Sequence, residues 1–254
     1  MFRQMGMYGW TLQVLPDLKA LASAAADLFI LQAAAAVASR GRFCAALSGG
    51  STPAALFQQL RTPATLRKID WPRVHLFWGD ERCVPADHPE SNYQMARQTL
   101  LDYVPIPARN LHRIPAEVGA EAAAAAYEET LRTFFGVESW PLFDLMLLGL
   151  GEDGHTASLF PGSPALLEKD HWTAAVEHHT PPPPLVDRVS LTLPVINAAR
   201  QAVFLVSGAG KAEILARVLH PLGAEDLCLP AQHVRLPEGQ LTWLVDRAAA
   251  GKLD

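Results

Sequence analysis

A chain of 254 residues, half of them hydrophobic, can bury a full core and is of ordinary size for one α/β domain. Its formal charge of −5 excludes the broad basic face that nucleic-acid binding relies on, so an anionic ligand must be held by a few local cations. Cys44, Cys83 and Cys228 are widely spaced without a C-x-x-C, and the nine histidines show no H-x-x-x-H, so neither a disulfide framework nor a metal site is indicated.

Trp10 to Leu15 reads as a first strand, followed by a long helix from about Pro16, which suits a first helical turn, to about Arg40 before Gly41. Its alanine-rich part is interrupted by Ser23, Asp27, Gln32 and Ser39, and no basic region leads into it. Neither a signal peptide nor a membrane span is expected, and a cytoplasmic location is.

Phe43 to Leu47 is a short apolar strand running into Ser48-Gly49-Gly50-Ser51-Thr52-Pro53. Glycines free the backbone there, and Thr52 before Pro53 reads as the cap of a helix through Leu60, whose open N–H groups make a seat for phosphate. The next strand, Val74 to Trp78, leads into Gly79-Asp80-Glu81-Arg82-Cys83-Val84-Pro85; taken alone, three consecutive charges there read as a solvated turn. Ser91 caps a helix to about Leu101, and Ala116 to Phe135 reads as one alanine-rich outer helix.

Phe143 to Leu148 has the composition of a strand buried in a parallel sheet, and the polar cluster GLGEDGHTASLFPGSP begins where it ends. In open α/β sheets ligands sit at that edge. An imidazole, His155, with Glu152 and Asp153 beside it can be held in one tautomer and made a better base near neutral pH. The G-x-G-x-x-G at Gly149, Gly151 and Gly154 is not read as a dinucleotide fingerprint, because Pro161, Gly162 and Pro164 deny it the helix that must open from the glycines.

Beyond the loop, Ala174 to Glu177, the alternating Arg188 to Leu193, Ala202 to Val206 and Leu241 to Val245 read as further strands. The prolines at 181–184 form a stiff surface excursion, not a linker, so one domain over 1–254 is expected. Ser207-Gly208-Ala209-Gly210-Lys211 is not a P-loop, since Leu205 stands where a glycine is needed, but Lys211 opens a helix after a strand, where a cation can meet a ligand. Strands alternating with helices imply a doubly wound, largely parallel sheet with helices on both faces.

These loops, in order, resemble the 6-phosphogluconolactonase family: SGGSTP at 48–53, WGDERCVP at 78–85, SNY at 91–93, GLGEDGHTASLFPG at 149–162, RVSLTLP at 188–194 and SGAGKA at 207–212. The resemblance implies a fold similar to glucosamine-6-phosphate deaminase and ribose-5-phosphate isomerase. It also implies hydrolysis of 6-phosphogluconolactone in the pentose phosphate pathway without metal or organic cofactor. The implied partner is that small-molecule substrate alone, on a monomer or small homo-oligomer. His155 then activates water, with Glu152, Asp153 or Asp80 orienting its ring; these three are not ranked. Arg188 faces the oxyanion or the carboxylate product, and the phosphate rests on Ser48, Gly49, Gly50, Ser51 and Thr52, with Arg82 and Lys211 supplying charge. Three other readings stay open: a sugar-phosphate isomerase or deaminase on the same scaffold, a serine esterase using Ser48, whose surroundings are one residue from G-x-S-x-G, and a sugar-phosphate sensor.

Overall fold

The computed structural model describes residues 2–5, 9–181, 183–221, 223 and 228–253. In chain order the elements are β1 (Phe2–Met5), β2 (Trp10–Leu15), α1 (Leu18–Arg40), β3 (Phe43–Leu47), α2 (Ser51–Leu60), α3 (Pro63–Leu66), β4 (Val74–Trp78), β5 (Asp80–Arg82) and α4 (Asn92–Thr99). Then follow β6 (Leu111–His112), α5 (Ala120–Phe135), β7 (Leu145–Leu148), β8 (Thr173–Val176), β9 (Arg188–Leu191), α6 (Leu193–Asn197), β10 (Gln201–Val206), α7 (Ala212–Leu219) and β11 (Gln240–Asp246).

Eight strands form one sheet in the order β1-β2-β11-β10-β7-β3-β4-β6. Every pairing in it is parallel except β1 with β2. The central strands β3 and β7, FCAAL and LMLL, are buried at every position, as strands covered on both faces must be. The buried apolar residues make one continuous core from Leu12 to Ala249. α1 is long and apolar enough to cross a membrane by composition, yet Leu21, Ala25, Phe29, Ala33 and Ala36 are packed into that core.

Several local expectations are corrected. α1 starts at Leu18, not Pro16, because Asp17 is the cap: its carboxylate accepts the Ala20 N–H at 2.8 Å. α2 starts at Ser51 and its cap is Gly50, at φ 100, so Thr52 lies inside the helix. The helix expected over 116–135 is split at Gly119, where φ is +94, into a 3-10 turn and α5.

The largest correction concerns 80–82 and 188–193. Residues 80–82 and 188–191 leave the main sheet and form a second, antiparallel sheet in the order β5-β9-β8, Asp80 pairing with Ser190 and Arg82 with Arg188, and the strand stops at Leu191 because Leu193 opens α6. Asp80 and Glu81 are 5% and 3% exposed, so the solvated-turn reading fails. The physical reason is satisfaction of charge: Glu81 accepts the N–H groups of Arg82, Asn92 and Tyr93 at 2.7–2.8 Å and the Ser91 hydroxyl at 3.0 Å. Burial still pushes its carboxyl up from the ordinary value, against the opposing pull of those four donors.

Candidate active site

The carboxyl ends of β3, β4, β7 and β10 deliver four loops to one cleft of about 360 Å³. The first loop contributes Ser48, Gly49 and Gly50, and the second Asp80 and Arg82, with Asn92 beside them from the start of α4. The third contributes the run from Gly149 to Glu152 together with His155 and Ala157, and the fourth Lys211; Pro183 and Arg188 complete the wall.

His155 Nδ1 lies 2.6 Å from Asp153 Oδ1, and the same oxygen accepts the His155 backbone N–H at 3.1 Å. Burial raises the Asp153 carboxyl, but the imidazole hydrogen bond, its charge and the backbone amide outweigh it and leave the group below its ordinary value. Phe160 packs against the ring of His155, centroids 4.5 Å apart, and a Cβ on Gly151 would fall on His155 Nδ1. That close approach, not a positive φ, is what demands glycine at 151.

The other two acidic candidates face elsewhere. Glu152 is exposed, with its carboxylate near Gly210. Asp80 accepts the Ser158 hydroxyl at 2.7 Å through Oδ2 and the Asn92 side-chain amide at 3.3 Å through Oδ1. Ser158 was not singled out in the sequence, and Asn92 only as part of the SNY motif. Their signal was the spacing to the charged loop, which becomes meaningful only once β5 and β9 pair.

The cations are arranged unequally. Arg188 is 3% exposed; its Nη2 donates to Pro184 O at 3.1 Å while Nε has no partner among the described residues. Burial pulls its guanidinium below the ordinary value, with Asp80 opposing. Arg82 donates through Nη1 to Glu90 O at 2.8 Å, and its Nε also lacks a partner. Lys211 ends a 3-10 turn after Gly208, whose N–H and the preceding Ser207 hydroxyl are both held by the Asp246 carboxylate. Unpaired buried donors around one cleft are what an anion would satisfy.

At the amino end of α2 the N–H groups of Ser51 and Thr52 are among those with no intrahelical acceptor, although their side chains stay outside the cleft wall. Ser48 Oγ makes a long 3.4 Å contact with Gly49 O, and among the described residues no histidine bonds to it, so it lacks the base of a serine nucleophile. Among the described residues no group of three His, Cys, Asp or Glu side chains is placed to hold a metal ion.

The architecture is that of the α/β sugar-phosphate enzymes: a solved monomeric glucosamine-6-phosphate deaminase superposes over 95% of this chain and 99% of its own with a TM-score of 0.77, at 18% identity, a likeness of fold. A 6-phosphogluconolactonase of Trypanosoma brucei superposes with a TM-score of 0.86 at 29% identity, over 97% of this chain and all of that one. The chain belongs to the family of glucosamine-6-phosphate isomerases and 6-phosphogluconolactonases, whose model matches residues 16–243. It is 42% identical to the 6-phosphogluconolactonase of Nostoc sp. over 96% of this chain and 98% of that one. It is 41% identical to that of Mycobacterium tuberculosis over the same shares.

Proposed function

We propose that this chain hydrolyses 6-phospho-D-glucono-1,5-lactone to 6-phospho-D-gluconate, without a metal ion, with His155 as general base. Relatives bearing that name, at 41–42% identity over nearly their whole length, support the reaction. The observation that carries the mechanism is the 2.6 Å contact of Asp153 with His155, which lines one cleft with Arg82, Arg188 and Lys211.

With Nδ1 turned to Asp153, Nε2 is the nitrogen left for water. It takes a proton as the water oxygen bonds to the lactone carbonyl carbon and the carbonyl electron pair moves onto its oxygen. The buried Arg188 guanidinium faces that developing charge. Collapse of the tetrahedral intermediate breaks the bond to the ring oxygen, which takes the proton back from the imidazolium, and the carboxylic acid formed ionises to solvent. The phosphate rests on the N–H groups of Gly49, Gly50, Ser51 and Thr52 at the start of α2, with Arg82 and Lys211 as counter-charges. Remote phosphate binding thereby orients the lactone over the base.

The test is hydrolysis of freshly generated 6-phosphogluconolactone followed against its spontaneous rate. No acceleration would overturn the reading. Release of ammonia from glucosamine-6-phosphate would favour a deaminase, and labelling of Ser48 by a fluorophosphonate would favour an esterase.

A further inference from the structure

We infer that the backbone N–H of Ala157 is a second oxyanion donor in this site, an assignment that rests on the lactone-hydrolase reading and deepens it. Ala157 lies two residues beyond His155, lines the cleft, and has φ 48, the one left-handed backbone among the described non-glycine residues. A residue with a Cβ adopts that conformation only when its surroundings impose it, and such outliers gather where a backbone must be aimed.

The surroundings do impose it. On the near side the His155 N–H is held by Asp153 and the His155 carbonyl accepts from Gly151 N at 2.9 Å. On the far side the Thr156 carbonyl accepts from Leu159 N at 2.9 Å, closing a turn over Ala157 and Ser158. Ser158 is fixed twice, by its N–H on Ser190 Oγ at 3.2 Å and its hydroxyl on Asp80 Oδ2 at 2.7 Å. Every peptide group in this run that is locked is locked on one side or the other of Ala157. Its own N–H has no acceptor among the described residues. A backbone donor at a cleft wall without a protein acceptor is held for solvent or for a ligand.

Chemistry selects the oxyanion. The carbon under attack carries both the water oxygen bonded to His155 and the oxygen that becomes negative, so a donor for the latter must lie close to the base. Two peptide steps of ~3.8 Å between Cα atoms meet that requirement. In the proposed function Arg82 and Lys211 serve the phosphate, and an oxyanion, with three lone pairs, has room for a second donor beside Arg188. A rigid amide fills it with no reorganisation at the moment of reaction. The single methyl of Ala157 leaves room for the substrate beside that amide.

The test replaces the Ala157 amide by an ester, introducing the α-hydroxy analogue of alanine, which removes the N–H and keeps the methyl and the chain direction. We expect kcat on 6-phosphogluconolactone to fall by about 10²–10³-fold, the usual consequence of losing one oxyanion donor, with KM little changed. Because an ester also weakens the Thr156 carbonyl as an acceptor, the same replacement at Leu159 serves as the control. It removes that turn bond outright and should cost much less in kcat. Equal losses at the two positions, or an Ala157 ester within about fivefold of the parent, overturn the assignment while leaving the lactonase reading intact, since that reading is judged on the unmodified protein. Ala157→Gly adds an arm that needs no ester to fold: it keeps the N–H and suits a positive φ, so its loss in kcat should be at least tenfold smaller than that of the ester. A loss as large as the ester's overturns the assignment, because the methyl and not the amide then matters.

Discussion

His155 Nδ1 and Asp153 Oδ1 are 2.6 Å apart across a two-residue separation, and the carboxylate also holds the backbone N–H of the residue whose ring it orients. One short loop therefore fixes the position, the tautomer and the rotation of the imidazole at once. Neither Glu152 nor Asp80 shares that role geometrically. His155→Ala is expected to lower kcat by about 10²–10⁴-fold with little change in binding of a product analogue. Asp153→Asn should cost less than His155→Ala but clearly more than Glu152→Gln, and the three are compared by steady-state kinetics. A Glu152→Gln loss as large as that of Asp153→Asn would show that the orienting group has been misassigned.

The proposed phosphate contacts distinguish a lactonase from a general esterase. A charge-assisted hydrogen bond contributes about 1.5–3 kcal/mol, so Arg82→Ala and Lys211→Ala should each reduce kcat/KM for 6-phosphogluconolactone by about 10- to 150-fold. Neither should matter for unphosphorylated gluconolactone, which has no phosphate to lose. Parallel kinetics on both lactones decide it, and equal losses would place the phosphate elsewhere.

Gly49 is required by contact. A Cβ there would fall on the side-chain oxygen of Asn92, which is 2% exposed and whose side-chain amide donates to Asp80 O at 2.9 Å. Asn92 cannot swing aside without releasing Asp80. Gly49→Ala should thus destabilise by about 1–3 kcal/mol, the ordinary cost of overpacking, and raise KM for the phosphorylated lactone. Thermal unfolding and kinetics on one preparation test both.

Away from the site, His75 and His112 predict an acid-sensitive step. His112 stacks on Phe77 at 4.3 Å, and its Nε2 is 3.2 Å from His75 Nδ1. Burial, with the neighbouring imidazole, pushes His112 down to about 4, and burial, with Arg42 and Arg109, also lowers His75. Above the ordinary histidine value both folded and unfolded chains are neutral, and nothing is gained or lost. As pH falls below about 6.5 the unfolded chain binds protons that the folded chain refuses, so stability declines until about pH 4. After discounting for solvent at these partly buried rings the loss is about 1–2 kcal/mol. His112→Phe should flatten the fall in Tm between pH 7 and pH 5; an unchanged slope would assign it to other groups.

Chelation bears on the metal-free part of the proposal. Prolonged EDTA should leave kcat/KM unchanged, and loss of activity that zinc restores would overturn it.

Composition and periodicity were enough to read the alternation of buried strands with helices, because a strand covered on both faces must be apolar throughout: FCAAL and LMLL declare themselves. The loops at strand ends were legible for the same reason, since glycines, hydroxyls and charges begin where the apolar run stops. His155 and its three possible carboxylate partners were legible as a cluster, but not which of them touches the ring, because within a loop the direction of a side chain follows from φ and ψ rather than from spacing. Only tertiary structure decided that Asp153 turns to His155 while Asp80 turns to Ser158, 78 residues further along the chain. Only it made a strand of Asp80–Arg82: consecutive charges read as solvated until α4 and β9 arrive with the amides and hydroxyls that let those charges be buried. Local sequence carries the elements, whose hydrogen bonds close within a few residues or follow a simple period. The site depends on partners distant in sequence, and their meeting is settled by packing.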